Sequence, residues 1–234
     1  MDPLDSLRQA PERAAILLDV DGTLAPIVEG PGAARVPDET RTVLRALVAR
    51  YALVAAVTGR TGDSGRRLVG VDGIQIAGVH GLELEPEAEA WEQRLHEFAR
   101  SVDWPVEDKG VAISFHYRTH PDPERARAEL ERVAARARGA GLRTRFGRMV
   151  LEVLPPVEAN KGTAVRRLLE EAQLSRALYA GDDTTDLDAF TALDALDVGV
   201  KIAVRSGEAP EQLLEQADIV VDGPEELVEL LGRL

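Results

Sequence analysis

The 234-residue chain has no cysteine, which excludes disulfides, thiolate nucleophiles, iron–sulfur clusters and cysteine zinc sites in one step. It also lacks any uninterrupted apolar run near the ~18 residues that a membrane-spanning helix needs. The stretch from Met1 to Arg13 is polar and holds no apolar segment of signal-peptide length. Basic residues are few: 28 Lys and Arg stand against 41 Asp and Glu, a formal charge of −13. Nucleic acid and anionic membrane both require a positive field, so neither is expected as a partner. The expectation is a cytoplasmic monomer acting on a small molecule. A phosphate-bearing one would be repelled at long range, and local charges would have to reverse that field.

Hydrophobic residues make up 44% of the chain, enough for a sizeable core. Short apolar runs at Ala14–Leu18, Ala52–Val57, Ile74–Val79, Ala177–Ala180, Val200–Val204 and Ile219–Val221 read as strands. Helical spacing over Val43–Tyr51, Thr163–Ala172 and Glu225–Leu231 separates several of them. Near-continuous apolar strands alternating with helices predict a doubly wound, mostly parallel α/β sheet. The middle of the chain departs from this. Val111, Ile113, Phe115 and Tyr117 alternate with Ala112, Ser114, His116 and Arg118, the period of a half-exposed strand. A helix with one apolar face follows over Asp122–Arg138, then a strand at Met149–Leu154. A smaller α+β layer is therefore expected over residues 83–155, inserted into a core of residues 1–82 and 156–234.

Two acidic clusters end apolar strands. Leu18-Asp19-Val20-Asp21-Gly22-Thr23 follows the first, and its two carboxylates fall on one side of an extended chain. Gly22 allows the backbone to turn closely around an anion. Gly181-Asp182-Asp183-Thr184-Thr185-Asp186 ends a later strand, and Asp183 and Asp186 both contribute if a helix begins there. Taken singly, the first segment also reads as a solvated acidic loop, and Asp183 or Asp186 as a helix cap. Together, two such clusters at neighbouring strand ends repel unless a cation lies between them. An all-oxygen donor set points to Mg²⁺ rather than zinc. Thr58-Gly59-Arg60 offers a hydroxyl and amides for phosphate oxygens, and Lys161 precedes a helix where it can neutralise a phosphate. Alone, each of these is an ordinary turn or surface lysine.

In order along the chain, Asp-x-Asp-Gly-Thr, a strand-end Thr, a Lys and Gly-Asp-Asp-x-x-Asp resemble the haloacid dehalogenase superfamily. That resemblance implies that Asp19 attacks phosphorus and that Asp21 is the acid and base. It implies further that Asp19, the Asp21 backbone and Asp182 hold Mg²⁺, and that Thr58 and Lys161 fix the phosphoryl group. Gly78-Val79-His80-Gly81, Glu107-Asp108-Lys109-Gly110, Phe115-His116-Tyr117-Arg118 and Leu151-Glu152-Val153 resemble trehalose-6-phosphate phosphatases, implying hydrolysis of trehalose 6-phosphate through an aspartyl phosphate. The insert then acts as a cap that selects the sugar, with His80, Lys109, His116, Arg118 and Glu152 as candidate contacts. Glu152 interrupts an apolar strand, where an unpaired carboxylate is costly, so a partner is expected for it. Sugar hydroxyls and Arg118 are both candidates. The family's Glu-x-Arg-Pro reads Glu152-Val153-Leu154-Pro155 here, which keeps sucrose phosphate or a glycosyl-phosphoglycerate open as substrates. A non-catalytic sugar-sensing domain is the rival from another class.

Overall fold

The computed structural model describes residues 3–28, 34–147, 149–206 and 209–234, and the chain divides into two compact units. One comprises Met1–Gly81 with Ala159–Leu234, the other Leu82–Glu158. The first opens with α1 (Asp5–Gln9), β1 (Ala15–Leu18), α2 (Asp38–Arg50), β2 (Leu53–Val57), α3 (Gly62–Val69) and β3 (Gln75–Ala77). The second holds α4 (Pro86–Glu89), α5 (Glu92–Arg100), β4 (Glu107–Asp108), β5 (Ile113–His116), α6 (Pro123–Gly139), β6 (Arg143–Gly147) and β7 (Val150–Leu154). The chain then returns to the first unit through α7 (Lys161–Ala172), β8 (Arg176–Gly181), α8 (Asp186–Leu193), β9 (Val198–Arg205), α9 (Glu211–Gln216), β10 (Ile219–Asp222) and α10 (Gly223–Leu231).

The first unit's sheet has the order β10-β9-β8-β1-β2-β3, and every pairing in it is parallel. All residues of β1 and β2 are buried, as continuous apolar runs require when helices cover both faces. Ile16, Leu18, Val54 and Ala56 pack with Leu44 and Leu47 of α2 and with Leu227 and Leu231 of α10. The strand expected to run to Val79 stops at Ala77. Val79, His80 and Gly81 turn through φ of 49°, 55° and 93°, a left-handed path that no strand follows.

The second unit is an antiparallel sheet of order β4-β5-β7-β6. Its apolar face carries Ile113, Phe115, Leu151 and Val153, packed on Leu130, Val133 and Ala134 of α6 and Leu95 of α5. Asp122 caps α6 by accepting the Arg125 N–H at 3.0 Å. Its other face is polar. Register aligns Glu107 with Ser114, Ser114 with Glu152, and Glu152 with Arg145, one row across all four strands.

Candidate active site

The strand order reverses at β1: the chain runs outward through β2 and β3 on one side and later through β8, β9 and β10 on the other. Crevices at such switch points, beyond the carboxyl ends of the strands, are where α/β sheets bind ligands. Leu18 pairs with both Ala56 and Ala180, so the segments starting at Asp19, Thr58 and Asp182 leave the sheet side by side. The Asp19 N–H donates to the Ala180 carbonyl at 2.9 Å, and its side chain is buried. Gly22 then turns at φ 86°, and a Cβ there would lie 2.0 Å from Asp182 Oδ2. Only glycine lets the first acidic loop close onto the second. Thr23 Oγ1 adds a hydrogen bond to Asp182 Oδ1 at 3.3 Å.

Lys161 is the first residue of α7, set by a capping box. The Asn160 side chain accepts the Thr163 N–H at 2.8 Å, and Thr163 Oγ1 accepts the Asn160 N–H at 3.0 Å. The Lys161 ammonium, 2% exposed, donates to Asp19 Oδ1 at 2.7 Å and to Asp186 Oδ1 at 2.6 Å. Asp186 is fully buried and also accepts the Tyr179 hydroxyl at 2.6 Å. Its second oxygen accepts the N–H groups of Asp182 and Asp183 at 3.0 and 2.9 Å. Four donors therefore occupy Asp186, and this geometry makes it the residue that aims Lys161 and closes the turn after β8. Asp183 is exposed, with its carboxylate accepting the Thr184 N–H at 2.6 Å, a cap to the start of the turn.

Electrostatics separate these acids. Burial pushes Asp19 well above the usual carboxylate range, Lys161 pulls against it, and Asp186 and Asp182 add to the rise. Burial, followed by Asp186, lifts Asp182 to about 7. Burial alone would lower Lys161, yet Asp186 and Asp19 outweigh it and hold the ammonium above its ordinary value. One ammonium thus serves three buried carboxylates, each offering an oxygen within 4.8 Å of the others'. Beside the filled Asp186, Asp19 and Asp182 keep oxygen lone pairs, and their upward shifts show a cluster short of positive charge. An all-oxygen, buried carboxylate set of this kind fits a hard divalent cation.

The expected phosphate contacts gather beside these acids. Thr58 is fully buried, its N–H donates to the Ala77 carbonyl at 3.0 Å, and its hydroxyl accepts the Arg60 N–H at 3.2 Å. The Arg60 guanidinium grips Asp21 through both carboxylate oxygens, Nε to Oδ2 at 2.7 Å and Nη2 to Oδ1 at 2.6 Å. His80 donates its N–H to the Thr58 carbonyl at 2.8 Å. Its ring lies so near Gly59 that a Cβ there would sit 2.7 Å from Nε2.

In the second unit, Lys109 Nζ approaches Glu152 Oε1 at 3.5 Å, while Arg145 meets Glu152 Oε2 through Nε at 2.9 Å and Nη2 at 2.5 Å. His116 shares a hydrogen bond with Glu107 at 2.7 Å, which with Lys109 draws the Glu107 carboxyl below its ordinary value although burial opposes this. Arg118 lies past the end of β5, exposed in a turn, rather than on the sheet face with Ser114 and His116. Two residues of these networks carried no sequence signal: Tyr179 and Arg145. Tyr179 reads as one more apolar residue of a buried strand. Arg145 becomes visible only by pairing β6 with the strand of Glu152.

Residues 17–222 match the model of the trehalose-phosphatase family. An uncharacterised glycosyl hydrolase of Mycobacterium tuberculosis is 36% identical over 217 residues, covering 81% of this chain. The chain spans only 16% of that relative's length. A probable trehalose-phosphate phosphatase of Arabidopsis thaliana is 30% identical over 253 residues, covering 95% of this chain and 67% of its own. Among solved structures, a trehalose-6-phosphate phosphatase related protein superposes with a TM-score of 0.73 at 28% identity, over 93% of this chain and 95% of that one.

Proposed function

This chain belongs to the trehalose-phosphatase family, and on that premise we propose that it hydrolyses trehalose 6-phosphate to trehalose and phosphate, with Asp19 as nucleophile. One observation carries the chemistry: Lys161, buried at the start of α7, holds Asp19 at 2.7 Å beside a second buried carboxylate, Asp182. An Asp19 oxygen attacks phosphorus as the bond from phosphorus to the sugar oxygen breaks. Asp21, released from the Arg60 fork and protonated from solvent, gives that proton to the leaving oxygen. It then takes a proton from water, which attacks phosphorus, releases phosphate and regenerates Asp19.

The phosphoryl oxygens are held by the Thr58 hydroxyl, the Gly59 amide, the Arg60 amide once it leaves that hydroxyl, the turn at Gly22 and the Lys161 ammonium. Such fixed donors act on charge spread over the equatorial oxygens, where phosphoryl transfer is most sensitive to them. Asp19, Asp182 and the Asp21 main-chain carbonyl would hold Mg²⁺, which supplies further charge neutralisation at the phosphoryl group. Asp186 and Tyr179 aim Lys161. The Arg60 fork orients Asp21 until a leaving group replaces it. His80 buttresses the Thr58 turn beside the phosphate. The second unit selects the sugar through Lys109, His116, Arg118 and Glu152 on or beside its polar sheet face.

The test is phosphate release from a panel of sugar phosphates and p-nitrophenyl phosphate, with Mg²⁺ and with EDTA. Metal-dependent turnover with a strong preference for trehalose 6-phosphate is expected. Metal-dependent turnover that favours another sugar would keep the chemistry and remove the substrate. No turnover of any ester would leave a non-catalytic sugar-binding domain.

A further inference from the structure

Glu152 is 5% exposed, and Lys109 and Arg145 are both cationic partners to it where one would neutralise it. Lys109 approaches one carboxylate oxygen, and Arg145 takes the other with two of its N–H groups. A guanidinium has five N–H donors in a fixed fork. Three of those on Arg145 meet no acceptor among the described residues, and 32% of the side chain is exposed. Ser114, which pairs with Glu152 across β5 and β7, has a buried Oγ with no partner among the described residues. This row therefore holds more hydrogen-bonding capacity than the protein itself consumes.

We propose that Arg145 is a specificity-determining residue whose unspent donors bind hydroxyls of an uncharged sugar unit, while Glu152 fixes the fork. This rests on the sugar-phosphatase reading given above. The mixture of groups in the row points to the ligand class. Glu107 and Glu152 stand beside Lys109 and Arg145, with His116 hydrogen-bonded to Glu107, so acceptors and donors lie next to one another. A face that mixes donors and acceptors in this way matches a polyol. The same geometry assigns a use to β6: Arg143 pairs with Leu154 in register, but its guanidinium donates to the Val157 carbonyl at 2.6 Å, leaving Arg145 as the fork beside Glu152.

The test compares wild type with R145M and R145K, measuring kcat and KM for trehalose 6-phosphate and for p-nitrophenyl phosphate. R145M is expected to lower the ratio of the two kcat/KM values about tenfold, mainly through KM for the sugar phosphate, the size of one lost charged hydrogen bond. R145K recovers part of that loss, because lysine restores the charge without the fork. Should R145M not fold, the drop in the same ratio for R145K decides the matter. Equal losses on both esters would mean that Arg145 only neutralises Glu152, and no loss on either that no sugar reaches it; either overturns the inference. If wild type itself shows no preference for any sugar phosphate over the aryl ester, the proposed substrate class fails and this role for Arg145 fails with it.

Discussion

At the scale of single residues, the buried acids make the pH behaviour of the metal-stripped protein unusual. Asp182 is lifted to about 7 from an unfolded value near 3.8, and burial raises Asp19 in the same direction. Between those limits the folded chain keeps protons that the unfolded chain has released. Stability then falls as pH rises, because its slope follows protons bound by the unfolded state minus those bound by the folded one. Glu107 is shifted the other way, and its effect lies below its ordinary value of 4.5, outside this window. The melting temperature in EDTA is expected to drop between pH 5 and pH 7, and saturating Mg²⁺ should flatten that drop. A melting temperature that rises with pH over this range would contradict the cluster's electrostatics. That Asp19, Asp182 and Lys161 come together was legible in the sequence, because each sits beside a strand end or helix start. Asp186 was legible as an acid of the second cluster, and the four donors that surround it become visible only in the fold.

At the scale of elements, α7 places Lys161 through its cap. Replacing Asn160 with Ala removes an acceptor for the Thr163 N–H, which typically costs about 1 kcal/mol, and frays the turn that carries the ammonium. Urea unfolding of Asn160→Ala should show that loss, with kcat reduced more than KM. An unchanged kcat would mean that Asp19 and Asp186 hold Lys161 without help from the cap. The central strands β1 and β2 were readable because continuous apolar runs are the mark of a sheet covered on both faces, whereas the edge strand β3, with an exposed Gln75, ends two residues before its expected Val79. Others gave no such signal. β6 reads Arg143-Thr144-Arg145-Phe146-Gly147, with a single large apolar side chain and hence no period. α3 carries two glycines and three charges in eight residues, and it starts where Thr61 accepts the Ser64 N–H. Such elements depend on caps and neighbours rather than on their own pattern.

At the scale of the whole molecule, the formal charge of −13 opposes the approach of a dianionic ester. Salt screens that repulsion over roughly 10 Å at 0.1 M ionic strength, whereas the short Lys161 contacts lie well inside that distance. The value of kcat/KM for a sugar phosphate should therefore rise as ionic strength increases from low salt to physiological salt. A steep fall would point to long-range attraction, and the net charge would then misrepresent the field at the site. Composition alone excluded thiol chemistry and disfavoured nucleic acid. It said nothing of the row from Glu107 to Arg145, which exists only once four strands pair.

In the proposed reaction Asp19 forms the covalent bond to phosphorus. Wild-type protein turning over trehalose 6-phosphate with Mg²⁺ should be quenched in acid within the first turnovers, digested and read by mass spectrometry. A phosphoryl adduct on the peptide that carries Asp19, removable by hydroxylamine and absent from Asp19→Asn, is the predicted result. An adduct on another residue, or active Asp19→Asn protein, would contradict it.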